Sequence, residues 1–196
     1  GGSFSSARSQ SLVLDPSFGV NGRWLLQASP LGGTDLALFP DGRIAAGCMN
    51  YTTYEAVVHI LNPDGTLDLS FAGDGSTAVP FPGSTDLLEG IATQPDGKVV
   101  ICGSTTISSV DHLVIARLLA NGEPDTDFAD NGLFIYTPAG SESRAYSAAV
   151  QPDGKIVACA AIGSGIFEIT GERALIRTMP DGSLDPDFGN GGVSSF

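Results

Sequence analysis

The chain has 196 residues, of which 42% are hydrophobic and 16% charged, a balance that excludes intrinsic disorder and is enough for one large domain or two small ones. Nine basic against 22 acidic residues leave a formal charge of −13, a field that repels phosphate backbones and anionic lipid surfaces, so nucleic acid is not an expected partner. No apolar run reaches the roughly 18 residues a membrane helix requires, so membrane insertion is not expected either.

The first 11 residues are small and polar, carry no apolar stretch of the signal-peptide kind, and are expected to be flexible. A marker then follows that returns three more times along the chain. It reads Leu14-Asp15-Pro16-Ser17-Phe18 up to Gly22, Leu67-Asp68-Leu69-Ser70-Phe71 up to Gly75, Pro124-Asp125-Thr126-Asp127-Phe128 up to Gly132, and Leu184-Asp185-Pro186-Asp187-Phe188 up to Gly192. Its phenylalanines are spaced by 53, 57 and 60 residues. Two further markers hold the same phase. One is Pro40-Asp41-Gly42, Pro95-Asp96-Gly97 and Pro152-Asp153-Gly154; the other is Pro63-Asp64-Gly65, Ala120-Asn121-Gly122 and Pro180-Asp181-Gly182. Fixed-period self-similarity of this length marks a repeat architecture. The units run over residues 14–66, 67–123 and 124–183, with a partial fourth at 184–196, all within a single repeat domain.

Each unit reads as four short strands. Asp-Gly or Asn-Gly between apolar runs is a strong hairpin signal, because both residues tolerate positive φ. In the second unit the expected strands are Ser76 to Phe81, Leu87 to Thr93, Lys98 to Gly103 and His112 to Leu119. Arg23 to Ala28 and Leu133 to Thr137 are the corresponding first strands of the neighbouring units. The third strand of each unit is apolar on both faces, as in Lys98-Val-Val-Ile-Cys102, which predicts a sheet sandwiched between sheets. Cys48, Cys102 and Cys159 all fall in this strand and read as small buried hydrophobes on separate sheets, too far apart to bridge. Four antiparallel strands per unit of this length predict an all-β, β-propeller-like array of three full blades plus part of a fourth. The four phenylalanines are expected to be buried where the chain crosses from blade to blade.

The combined pattern Leu-Asp-x-Ser/Asp-Phe-x-x-x-Gly, Gln-Pro-Asp-Gly-Lys-Ile/Val-Val and Ala-Arg-Leu-x-x-Asp/Asn-Gly resembles the delta-60 repeat family of bacterial proteins, over nearly all of Leu12 to Phe196. The resemblance implies a β-propeller-like fold and an exported bacterial protein, whether periplasmic, secreted or at the cell surface. It implies no activity. The first unit departs from the pattern: Phe39 and Arg43 flank its Pro-Asp-Gly, and His59-Ile60 stands where Ala116-Arg117 and Ile176-Arg177 stand later.

The acidic loops are the candidate binding residues. Asp125, Asp127, Asp130 and Asn131, and in the next copy Asp185, Asp187 and Asn190, set oxygen donors at alternating positions, as a calcium loop requires. The glycine and distal glutamate of an EF-hand are missing, and the same residues are ordinary turn formers that cap their own backbone. Arg117 and Arg177 occupy matching places in otherwise apolar strands and need acid partners. For Arg117 these are Asp68 or Asp125, and for Arg177 Asp125 or Asp185.

Catalytic signals are sparse. His59 and His112 lie in no metal-spaced motif, and neither a nucleophile elbow nor a phosphate-cradling loop occurs. No catalytic or cofactor-binding residues are assigned. The expected function is a non-catalytic scaffold or a module that binds protein or carbohydrate. Alternatives are a propeller-type hydrolase or lyase working through carboxylates (Asp86 with Glu89, or Glu142 beside Arg144) and a structural calcium-binding repeat. Three blades leave strand edges and faces open, which predicts self-association, as a homodimer of roughly six blades, or a protein partner. In that arrangement Val193 to Phe196 would extend a sheet edge, beside Ser11 to Leu14.

Overall fold

The Pro-Asp-Gly turns fix where each sheet folds back. A computed structural model of the protein describes residues 13–25, 31–138, 140–163 and 171–196. Gly42, Gly97 and Gly154 adopt φ of 87°, 88° and 83°, a conformation that costs any residue with a Cβ. Their N–H groups donate to the carbonyls of Phe39, Gln94 and Gln151 at 3.0, 3.0 and 2.9 Å. Asp41, Asp96 and Asp153 then accept the N–H of the residue two further on through Oδ1. Only the glycine takes positive φ. The hairpin signalled by Asp-Gly is therefore closed by a three-residue loop, a type I turn ending in a left-handed glycine.

Around these turns the described residues form twelve strands in three four-stranded antiparallel sheets. The first holds β1 (Leu31–Leu38), β2 (Ile44–Asn50), β3 (Glu55–Leu61) and β4 (Ser76–Ala78), in that order. The second holds β5 (Asp86–Thr93), β6 (Val99–Ile107), β7 (Val110–Leu118) and β8 (Leu133–Tyr136). The third holds β9 (Glu142–Val150), β10 (Ile156–Gly163), β11 (Glu172–Thr178) and β12 (Val193–Ser195). No helix occurs among the described residues, and the fold is an all-β propeller-like array. The first strands β1, β5 and β9 lie against one another at the inner edge, and β4, β8 and β12 close the outer edge.

The strand assignment shifts by one relative to the sequence expectation. Ser76–Ala78 pairs with β3, Leu133–Tyr136 with β7 and Val193–Ser195 with β11. The expected first strand of each unit thus completes the preceding blade, because the Leu-Asp-x-x-Phe segment turns the chain back along the outer edge. Val193 onward adds to the edge of the third sheet, as expected, by pairing with β11; of Ser11 to Leu14, Ser11 and Leu12 lie outside the described residues. Arg23 to Ala28 is described only to Leu25 and forms no strand there; Arg23 makes a single bridge to Gly19. The stretch 13–25 precedes β1 and forms no strand.

Blade two is the sandwiched sheet. Val99 and Ile101 pack toward blade one with Val58, Ile60 and Leu88. Val100 and Cys102, from the other face of the same strand, pack toward blade three with Ile115, Ile156 and Ile176. Burial on both faces is the reason β6 lacks polar alternation. Cys48 and Cys102 are buried, whereas Cys159 is exposed, contrary to expectation. Its neighbours Ile156, Ala158 and Ala160 face blade two, so Cys159 lies on the open face of blade three.

The crossover phenylalanines divide in the same way. Phe71 and Phe128 are sealed at 1% and 0% exposure, while Phe18 and Phe188 are only half-buried. The expectation of four equal anchors holds for the two with a blade on either side. Phe71→Ala or Phe128→Ala is expected to cost about 3–5 kcal/mol in urea denaturation, and Phe188→Ala clearly less. Equal losses at all three positions would contradict this division.

Candidate functional site

The recurring Asp-x-x-Phe segment builds a clasp at the point where the chain passes from one blade to the next. In blade two, Asp125 N–H donates to the Arg117 carbonyl at 2.9 Å, and Phe128 N–H to the Asp125 carbonyl at 2.9 Å. The carboxylate is thereby aimed inward. Its Oδ2 accepts Arg117 Nε at 2.7 Å and lies 3.0 Å from Lys98 Nζ, and its Oδ1 caps the Asp127 N–H. The Arg117 guanidinium lies 4.5 Å over the Phe128 ring, a cation–π contact on a buried face. Burial alone would raise the Asp125 pKa, but Lys98 and Arg117 outweigh it and hold the carboxyl below its ordinary value.

The clasp also reaches forward. Arg117 Nη1 donates to the Pro180 carbonyl of blade three at 2.6 Å, and Ala129 N–H donates to the Asp181 carbonyl at 2.7 Å. One loop earlier, Ala72 N–H donates to Asn121 at 2.8 Å, and before that Gly19 N–H donates to Asp64 at 2.7 Å. The receiving turn needs its glycine for this approach. A Cβ on Gly182 would lie 2.6 Å from Ala129 N, and one on Gly65 would lie 2.7 Å from Gly19 N.

Blade three keeps the inward half. Arg177 Nε and Lys155 Nζ both reach Asp185 Oδ2 at 2.8 Å, and Arg177 stacks on Phe188 at 4.4 Å. Lys155, the Asp187 N–H and Arg177 bring Asp185 to about 2, against an ordinary 3.8. Blade one improvises. Ile60 stands at the strand position of Arg117, and Arg43 replaces it from the neighbouring strand, with Nη1 2.9 Å from Asp68 Oδ2 and Nε 2.8 Å from Asp41. The pair Asp68–Arg43 was hidden from the sequence because its cation comes from the Pro-Asp-Gly turn, although the missing arginine at position 60 was the available signal.

Other candidates fall apart spatially. Asp125 and Asp185 turn inward to cations, while Asp127, Asp130, Asn131, Asp187 and Asn190 lie exposed. Among the described residues no group of three His, Cys, Asp or Glu side chains could hold a metal ion. Asp86 is buried, accepts the Thr105 hydroxyl at 2.8 Å and is raised above its ordinary pKa by burial, whereas Glu89 pairs with Arg144 of the next blade. Those two carboxylates therefore do not converge. Each inner strand carries one bulge, at Thr34, Glu89 and Tyr146, which ties neighbouring blades: Asp35 Oδ2 accepts the Ile91 N–H at 3.0 Å. His59 is buried against Trp24 at a centroid distance of 5.3 Å, and burial lowers its pKa. His112 borders a 480 Å³ hollow with Val110, Thr137, Pro138, Ser141 and Glu142, a mostly apolar cleft with one imidazole and one carboxylate.

Residues 94–128 and 151–188 match the domain of unknown function (DUF5122) beta-propeller. Both segments run from a Pro-Asp-Gly hairpin to the crossover phenylalanine, so the match falls on the clasp itself. A crystal structure of a protein of unknown function from Bacteroides caccae aligns with 82% of this chain at 12% identity and a TM-score of 0.42. The alignment spans 59% of that protein's length. No curated protein matches the sequence. The chain is a β-propeller-like repeat protein.

Arg117→Met would leave Asp125 buried with Lys98 alone. It is expected to cost about 3 kcal/mol, more than Arg177→Met, whose side chain is 20% exposed against 6% for Arg117. Unchanged urea midpoints would show that the clasp is dispensable. The pH dependence follows from the lowered Asp185 pKa: its contribution is present above the ordinary 3.8 and is lost as pH falls through about 2. Asp185→Asn is expected to flatten acid unfolding in that window, read by circular dichroism.

Proposed function

We propose that this protein is a non-catalytic interaction module of the delta-60 kind, an exported bacterial propeller segment that binds a protein partner through its open blade faces. The observation that carries this reading is the contrast between sealed and open clasps. Phe71 and Phe128 are fully enclosed by the next blade, whereas Phe188 is half-buried and Cys159, the counterpart of buried Cys102, is exposed on the same open face. The carboxylates that recur in every unit are consumed by cations and turns within the fold, which supports a scaffold over acid–base chemistry.

Self-association is the simplest partner chemistry, because a blade face of this type already fits another blade twice within the molecule. Sedimentation velocity across a concentration series is expected to show reversible association of the 20.0 kDa chain. A maleimide-linked polymer on Cys159, the exposed thiol, is expected to abolish it. A chain that stays monomeric at every concentration, labelled or not, would refute self-association. Association that survives the label would move the surface elsewhere.

A further inference from the structure

Blade two has a neighbour on either side, and one row of its side chains is unlike the matching rows of the other blades. Strand register sets Asp86 opposite Thr105 and Thr105 opposite His112, so the three stand in line across β5, β6 and β7 on one face. All three are buried, at 6%, 0% and 9% exposure. Counted from the inner-strand bulge, the matching rows are Leu31–Asn50–Glu55 in blade one and Ser143–Ile162–Glu172 in blade three. A histidine therefore stands only in blade two where the repeat otherwise carries glutamate. Thr105 spends its hydroxyl proton on Asp86 Oδ1 at 2.8 Å. His112 Nδ1, next in line, is buried without a hydrogen-bond partner. A buried polar atom left unpaired costs stability, and such atoms are rare in folded proteins.

We propose that the hollow beside His112 binds a small primary ammonium ion carried on an apolar stem, with Glu142 and the imidazole meeting its charged head. The hollow measures 480 Å³, within the range of about 300–1,000 Å³ that small-molecule sites occupy. Val110 and Pro138 form its apolar wall, and its polar groups are His112, Thr137, Ser141 and Glu142. A carboxylate only accepts hydrogen bonds, an unprotonated imidazole offers one lone pair, and hydroxyls accept as readily as they donate. Such a set of acceptors suits a compact cation with several N–H donors. The chain's own cations are committed elsewhere, Arg43, Lys98, Arg117, Lys155 and Arg177 to the clasps and Arg144 to Glu89, which leaves Glu142 without one among the described residues. The formal charge of −13 favours a cationic ligand further. The fold holds the site in place: Ser143 Oγ accepts the Leu113 N–H and donates to the Tyr136 carbonyl, both at 2.8 Å, which pins the start of β9 to β7 and β8 beside His112. The linker between β4 and β5 buries Phe81 in the core, whereas residues 137–141 supply no aromatic ring to fill the hollow. The site lies within the stack and is independent of the blade-face reading above.

Benzylamine, benzyl alcohol and benzoate are suitable probes, sharing one apolar ring and differing in the charge of the head. Benzylamine is expected to bind saturably in isothermal titration calorimetry, at least about tenfold more tightly than benzyl alcohol, with benzoate weakest. The chain has two histidines, so their imidazole signals separate by nuclear magnetic resonance. Those of His112 should move on titration with benzylamine while those of His59 stay. Glu142→Gln removes the charge and leaves the Ser143 ties in place; it is expected to lower benzylamine affinity at least about tenfold at an unchanged urea midpoint. Thr137→Phe, which fills the hollow from the linker, is expected to abolish binding, and it decides alone if the first variant unfolds. Benzylamine and benzyl alcohol binding alike would reduce the site to an apolar cleft and overturn the proposal. So would the absence of saturable benzylamine binding, a response of His59 in place of His112, or binding that survives both substitutions.

Discussion

The inward carboxylate of the Asp-x-x-Phe crossovers at Asp68, Asp125 and Asp185 is the constraint on which the blade stack depends. It costs free energy to bury unless a cation and a backbone N–H meet it; the cation comes from its own blade and the N–H from the crossover loop itself, at Ser70, Asp127 and Asp187. Once Asp125 has fixed Arg117, the remaining guanidinium nitrogen is free to reach the next blade at Pro180. One side chain thus couples the closing of one sheet to the docking of the next. The phenylalanine beneath it removes the same junction from water, so polar and apolar contributions are made at one place.

That coupling explains why the outer strand of each sheet comes after the crossover. The chain must leave the sheet, place the aspartate back against it and then return along its edge. β4, β8 and β12 are only 3 to 4 residues long because the edge needs no more than a short strip to be covered. Stability is accordingly nearest-neighbour in character, each blade supporting the one beside it. Cys159 is exposed and Phe188 half-buried, in contrast to Cys102 and Phe128 one blade earlier.

Blade one shows how the same constraint tolerates substitution. Losing the strand arginine to Ile60 would orphan Asp68, and Arg43 restores the charge from the hairpin turn while stacking on Phe39 at 4.7 Å. Arg43 serves both carboxylates through separate nitrogens of its planar fork, Nε to Asp41 and Nη1 to Asp68.

The sequence by itself determined the repeat, the all-β class and the hairpins, because these depend on local chemistry: glycine at positive φ, aspartate capping the turn, and apolar strands between them. It also placed Arg117, Arg177 and the aspartates in the same neighbourhood, since their spacing along the chain is short. It could not assign strands to sheets, because a strand following a crossover can pair backward or forward with equal local propriety. Backward pairing is decided by the clasp, which returns the chain to the blade it has just left. Nor could the sequence separate Phe71 and Phe128 from Phe18 and Phe188, or Cys102 from Cys159, whose local motifs are alike. Which of them is sealed depends only on whether another blade lies against that face, and that is a property of the stack rather than of the repeat.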